Sequence, residues 1–184
     1  MSDPRAFLLE LLTRYERVWP GEEATGRIRE LVERRADCFE RNCWEPGHVT
    51  GSALILDATR SRCLLTHHRK LERWLQLGGH ADGDPRIDEV VLREAREESG
   101  MQHFEFVETD GRVLPLDLDV HVIPARKQDP LHEHHDVRFL LIAGADQELV
   151  VSDESHDLAW VPLDDLERYT DEVSVLRLRD KLPW

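Results

Sequence analysis

The residues most able to do chemistry lie in Arg93-Glu94-Ala95-Arg96-Glu97-Glu98-Ser99-Gly100. Glu94 and Glu98 are four apart and Glu94 and Glu97 three, so on a helix all three carboxylates share one face. Stacking like charges in this way destabilises an isolated helix by about a few tenths of a kcal/mol per pair. A hard divalent cation such as Mg²⁺ or Mn²⁺ would reverse that cost, because it prefers carboxylate oxygens and keeps several of its waters. The plainer reading of such a face is a solvated one.

Several elements must position those carboxylates. Asp84-Pro85 is a start signal and Gly100 a stop, which predicts a helix from about Pro85 to Ser99. Ile87, Val90, Val91 and Ala95 give it an apolar face that would fix the carboxylates on a rigid support. Trp74 to Leu77 reads as a short strand running into Gly78-Gly79. Upstream, Asp3-Pro4 opens a helix through Phe7, Leu8, Leu11, Leu12 and Tyr15, broken at Pro20-Gly21. A second helix begins near Thr25 and carries Ile28, Leu31, Val32, Ala36 and Phe39 on one face. From Val49 the texture becomes that of strands: 52–56, 62–66, a long strand 113–123, 135–143 and 158–161. Helices are expected near 163–168 and 171–181. The expected architecture is a mixed sheet with helices, an α/β domain over residues 47–184, behind a helical hairpin in residues 1–46. The hairpin's apolar face would lie on that domain or pair with a second subunit in a homodimer.

Charge narrows the partners. The chain has 184 residues, one domain's worth, and at 40% hydrophobic it is too apolar to be disordered. No run reaches the roughly 18 apolar residues of a membrane span. With 38 acids against 24 bases the net charge is −14, which argues against nucleic acid duplex as a partner. The charge is uneven: residues 51–81 are net +3 and residues 82–110 net −7. Cations bound to the acidic stretch beside the basic one would make a small phosphorylated substrate acceptable. Three cysteines without a CxxC pair, and an N-terminus without signal-peptide character, favour a cytoplasmic location. Cys38, Cys43 and His48 form a partial zinc pattern that lacks a fourth ligand at a recognisable spacing.

The stretch from Gly79 through Arg93-Glu94-Ala95-Arg96-Glu97-Glu98-Ser99-Gly100-Met101 resembles the signature of the Nudix hydrolase family, with the spacing kept throughout. One departure is Pro85, which stands where the family has its first Glu; Asp84 or Asp88 would have to substitute. Leu77 replaces a frequent Pro before Gly-Gly. The resemblance implies an α/β/α sandwich and a Mg²⁺- or Mn²⁺-dependent hydrolase that cleaves the diphosphate linkage of a nucleoside diphosphate derivative. It implies that Glu94, Glu97 and Glu98 hold metal, that the Gly79 carbonyl joins them, and that Arg93 orients a glutamate. A loop carboxylate often completes such a site. Glu154, six residues before Trp160 and followed by Val161-Pro162, fits that role as ligand or general base, with Glu133, Asp129 and Asp153 as alternatives.

Ten histidines remain. His132-Glu133-His134-His135 opens a predicted strand, whose alternation would turn one or two histidines toward the pocket; a zinc site is the other reading. Arg69, His80, Arg126 and His134 are the candidate substrate contacts. A nucleotide-binding or sensor domain without turnover is the alternative function. Isomerisation of a diphosphate would need a placed Cys, for which Cys63, on a buried strand, is poorly suited.

Overall fold

The computed structural model describes residues 3–109 and 111–184. Two helices, α1 (Ala6–Val18) and α2 (Glu23–Arg34), precede ten strands. These are β1 (Gly47–Leu56), β2 (Arg62–His68), β3 (Arg73–Leu75), β4 (Leu77–His80), β5 (Phe104–Phe106), β6 (Glu108–Thr109), β7 (Arg112–Val113), β8 (Asp117–Ile123), β9 (His132–Ala143) and β10 (Ser155–Pro162). Helix α3 (Ile87–Ser99) follows β4, and a 3-10 turn (Leu163–Arg168) leads into α4 (Val173–Asp180).

Eight strands form one mixed sheet in the order β10-β2-β1-β9-β5, with β3 on β2, β4 on β1 and β8 on β9. At its centre β1 and β9 run parallel, pairing Gly47 with Glu133 through Leu56 with Ile142. Both are apolar on both faces over much of their length, as strands covered on two sides must be.

Alternation sorts the side chains into two layers. Val49, Ala53, Ile55, Val137, Phe139 and Leu141 face α1, α2 and α3 and share one core with Leu8, Leu12, Ile28, Val32, Val90 and Val91. Leu54, Leu56, Cys63, Leu65 and Leu140 face Val161, Leu166, Val175 and Leu178 beneath α4. The result is the expected α/β/α sandwich. The hairpin lies on the sheet, and its apolar face is spent inside the chain. Close approach of α3 depends on Gly51, where a Cβ would stand 2.8 Å from Cγ2 of Val91.

Several boundaries differ from the sequence reading. Helix α2 stops at Arg34, and Cys38 and Phe39 are buried from the turn that follows. Strand β1 starts at Gly47 and β9 at His132, both earlier than their apolar runs, because their first residues pair with each other. The long strand expected over 113–123 is broken: β7 pairs with β6, and only Asp117–Ile123 joins β9. Pro115, which has no N–H to donate, lies at the break.

The α4-side face also carries a buried charge network. Arg138, 1% exposed, donates to Asp136 at 2.8 Å, Asp119 at 3.0 Å and Asp117 at 3.4 Å. Asp136 in turn accepts from the hydroxyls of Thr50 and Ser52. Lys181 lies 2.7 Å from Asp117 and donates to Tyr15, joining the C-terminal segment to the hairpin.

Candidate active site

Strand β4 is only four residues long and presents different chemistry on its two sides. Gly79 pairs with Gly51 on the α3 side, and His80 pairs with Thr50 on the α4 side.

On the α3 side the carboxylates converge on backbone. Glu98 is buried, and its Oε2 accepts the Gly78 amide hydrogen at 2.8 Å. Glu94 lies against Gly79, where any Cβ would fall 2.4 Å from Oε2. Arg93 donates from one nitrogen to the His80 carbonyl at 2.7 Å and to Glu94 Oε1 at 2.8 Å, tying helix to strand. Glu97 is exposed on the same helix.

Burial pushes the Glu98 carboxyl up to about 8, and the charges of Glu94, Glu154 and Glu97 push the same way. Glu94 is also raised, first by burial and then, against the pull of Arg93, by Glu97 and Glu154. Glu154 is exposed immediately before β10, and its carbonyl accepts the Arg69 amide hydrogen at 3.0 Å. The charges of Glu97 and Glu154 therefore fall on Glu94 and Glu98, with the Arg93 guanidinium beside Glu94. An oxygen-rich set short of positive charge suits a hard divalent cation.

Helix α3 ends as the sequence reading expected, with Gly100 left-handed at φ 76. Its start is different: the N-cap is Arg86, whose amide donates to Asp84 at 2.8 Å. Arg86 also pairs with Asp88 at 2.7 Å. Neither acid takes up Arg93, which is held instead by the His80 carbonyl and Glu94.

Across β4, His80, His48 on β1 and His134 on β9 come together. His48 and His134 are register partners, and the nearest ring nitrogens of all three lie within 4.8 Å of one another. Burial lowers the pKa of each, that of His80 to about 4 and that of His134 to about 2; Arg41 and His48 push His80 the same way, and His80 and His48 push His134. All three are therefore neutral near pH 7.

The remaining candidates are scattered around the same end of the sheet. Arg69 donates to the Ser155 carbonyl at 3.0 Å. Arg126 pairs through its backbone with Asp129, and its charge reaches His68 beside Glu154. Glu133 turns toward the helical hairpin, 2.6 Å from Arg27. Cys38 and Cys43 are buried free thiols and, among the described residues, join no metal-competent group; His48 uses the Cys43 carbonyl instead. The sequence reading missed His48 as a partner of His80 and His134. Three histidines from distant segments signal nothing until the strand register is known.

A model of the NUDIX domain matches residues 47–179. The chain belongs to the NUDIX family. Solved structures agree in fold. The Escherichia coli dihydroneopterin triphosphate pyrophosphohydrolase aligns at 14% identity and TM-score 0.57, over 73% of this chain and 93% of that one. A NUDIX-family hydrolase from Clostridium perfringens aligns at 22% identity and TM-score 0.56, over 73% and 95%. The Caenorhabditis elegans Ap4A hydrolase in a binary complex aligns at 16% identity and TM-score 0.55, over 72% and 93%. At these identities the likeness is one of fold. No curated protein sequence matches the chain. Among the described residues no helix is long and apolar enough to cross a membrane.

Proposed function

We propose that this NUDIX protein is a Mg²⁺- or Mn²⁺-dependent hydrolase that cleaves the diphosphate linkage of a small nucleoside diphosphate derivative. The observation that carries the reading is the convergence of Glu94 and Glu98 on the Gly78-Gly79 backbone, with the charges of Glu97 and Glu154 acting on both. The structural relatives named for Ap4A and dihydroneopterin triphosphate hydrolysis have phosphoanhydride substrates in their names, which points to the same bond class.

The residues divide the work by position. Glu94, Glu97 and Glu98 would hold the cation, with the Gly79 carbonyl completing the oxygen set. A cation held there would screen diphosphate charge and lower the pKa of a water. Arg93 keeps Glu94 turned to the strand by its double contact. Glu154, exposed immediately before β10, would accept the proton of the attacking water at its carboxylate. Arg69, bonded to the Ser155 carbonyl, and Arg126, whose charge reaches His68, would supply positive charge near Glu154 for phosphate oxygens. His80 and His134 lie across β4 from the carboxylates, so direct contact with substrate would involve a part remote from the diphosphate.

The test is a panel of nucleotide sugars, dinucleotides, nucleoside triphosphates and coenzyme derivatives, assayed with Mg²⁺ and with Mn²⁺. Phosphorylated products should form from at least one class, and Glu97→Gln should lower turnover by orders of magnitude. A folded, metal-supplied protein inactive across the panel would instead support ligand binding without turnover.

A further inference from the structure

The three histidines on the α4 side of β4 have a geometry of their own. The ring centroids of His48, His80 and His134 are 4.9, 5.1 and 5.1 Å apart, close to an equilateral triangle. Zinc binds imidazole nitrogen at about 2.0–2.1 Å, which sets each ring centroid roughly 3.2 Å from the ion and three tetrahedrally placed rings about 5.2 Å apart. The rings already stand at that spacing.

A second observation points to a ligand. His48 is 1% exposed and its Nε2 is buried with no hydrogen-bond partner. Its other nitrogen, Nδ1, donates to the Cys43 carbonyl at 3.2 Å. That bond fixes the tautomer in which Nε2 carries a lone pair, the arrangement by which backbone carbonyls commonly orient metal-binding histidines. His132 stacks on His48 at 5.0 Å between ring centroids, and Trp44 packs edge-on against His132, so the ring is also held from behind.

We propose that His48, His80 and His134 form a second cation site, selective for a borderline transition ion such as Zn²⁺. It is separate from the carboxylate site on the other face of β4. An all-imidazole set disfavours Mg²⁺, which takes oxygen ligands. Three protein ligands leave a fourth position for water or an anionic group, as in zinc sites that exchange a ligand. Because Gly79 and His80 are adjacent, one short strand connects the two sites.

The experiment uses the full chain, freed of metal by chelation and held in excess Mg²⁺ so that oxygen sites are occupied. Zn²⁺ is titrated by calorimetry, and Co²⁺ by visible absorption. One Zn²⁺ per chain should bind, and Co²⁺ should give the intense bands of a four- or five-coordinate nitrogen site. His134→Gln and His80→Gln should each weaken Zn²⁺ more than about tenfold. Glu98→Gln should leave Zn²⁺ affinity unchanged. The Co²⁺ spectrum of the unmutated chain decides the matter even where a variant folds poorly. A weak, octahedral Co²⁺ spectrum, absence of a Zn²⁺ equivalent, or Zn²⁺ binding untouched by the folded histidine variants would overturn the proposal.

Discussion

The Cβ that Gly79 lacks would stand 2.4 Å from Oε2 of Glu94 and 2.6 Å from its Cδ. The glycine is therefore a condition of where that carboxylate rests. Its φ is not in the left-handed region, so the constraint is space alone. In Gly79→Ala the flexible end of Glu94 must move, while the strand keeps its pairing to Gly51. The expected outcome is a small change in melting temperature with activation by Mg²⁺ requiring about tenfold more cation. A Mg²⁺ titration of activity beside a thermal melt checks both.

Glu98 leads to a pH prediction. Its folded pKa, raised to about 8, lies above the ordinary carboxylate range. Folding then favours the protonated form. Its contribution to stability is fully present below the unfolded pKa and is lost as pH rises through about 8. Without divalent cation, the melting temperature should decline between about pH 5 and about pH 9, and Glu98→Gln should flatten that decline. The glutamine carbonyl can still accept the Gly78 amide, so the variant should fold. Added Mg²⁺ should stabilise the unmutated protein most at the alkaline end. Calorimetric scans in chelator and in Mg²⁺ measure the effect; a variant with an unchanged slope would show that another group titrates.

Glu154, just before β10, and Glu133, on β9, are two of the carboxylates that the sequence left open for one role. Glu154 is exposed, and its charge acts on Glu94 and Glu98. Glu133 is engaged by Arg27 at 2.6 Å and His135 at 3.1 Å on the hairpin side. Glu154→Gln should cut kcat by about 10²-fold or more with folding unaffected. Glu133→Gln should leave kcat alone and destabilise the hairpin packing by about 1 kcal/mol or less. Steady-state kinetics and urea denaturation of both variants test the pair; loss of kcat in Glu133→Gln would reverse the assignment.

How much of this was legible in the sequence depended on whether the signal was local. Helix α3 was readable because Pro85, Gly100 and the spacing of Ile87, Val90, Val91 and Ala95 all lie within one stretch. The same stretch carries Glu94, Glu97 and Glu98, so their placement on one helix could be anticipated. The meeting of His48 with His80 and His134 could not: His48 precedes the apolar run of β1, and its partners lie 32 and 86 residues away. Only the β1–β9 register, Gly47 with Glu133 onward, sets His48 beside His134. The charge network was hidden for a related reason. Arg138 and Asp136 sit in an apolar strand where each alone reads as an interruption, and Asp117, Asp119 and Arg177 complete them from other elements.

Arg138 yields the prediction with the largest stability effect. Its side chain is 2% exposed, and its guanidinium contacts Asp136, Asp119 and Asp117, as well as the Ser174 carbonyl at 2.9 Å. Removing one partner from a buried ionic cluster leaves the others charged and desolvated, which typically costs about 3–5 kcal/mol. Here three carboxylates depend on it, although Arg177 and Lys181 also reach Asp117 and would retain part of the neutralisation. Arg138→Met keeps much of the side-chain length and removes the charge, so packing loss is kept small. The expected result is a fall of about 3–5 kcal/mol in urea-unfolding free energy, partly recovered at lower pH as the stranded acids protonate. The double variant Arg138→Met with Asp136→Asn should be more stable than Arg138→Met alone, because it removes one orphaned charge. If the single variant loses less than about 1 kcal/mol, the cluster contributes packing and not charge pairing.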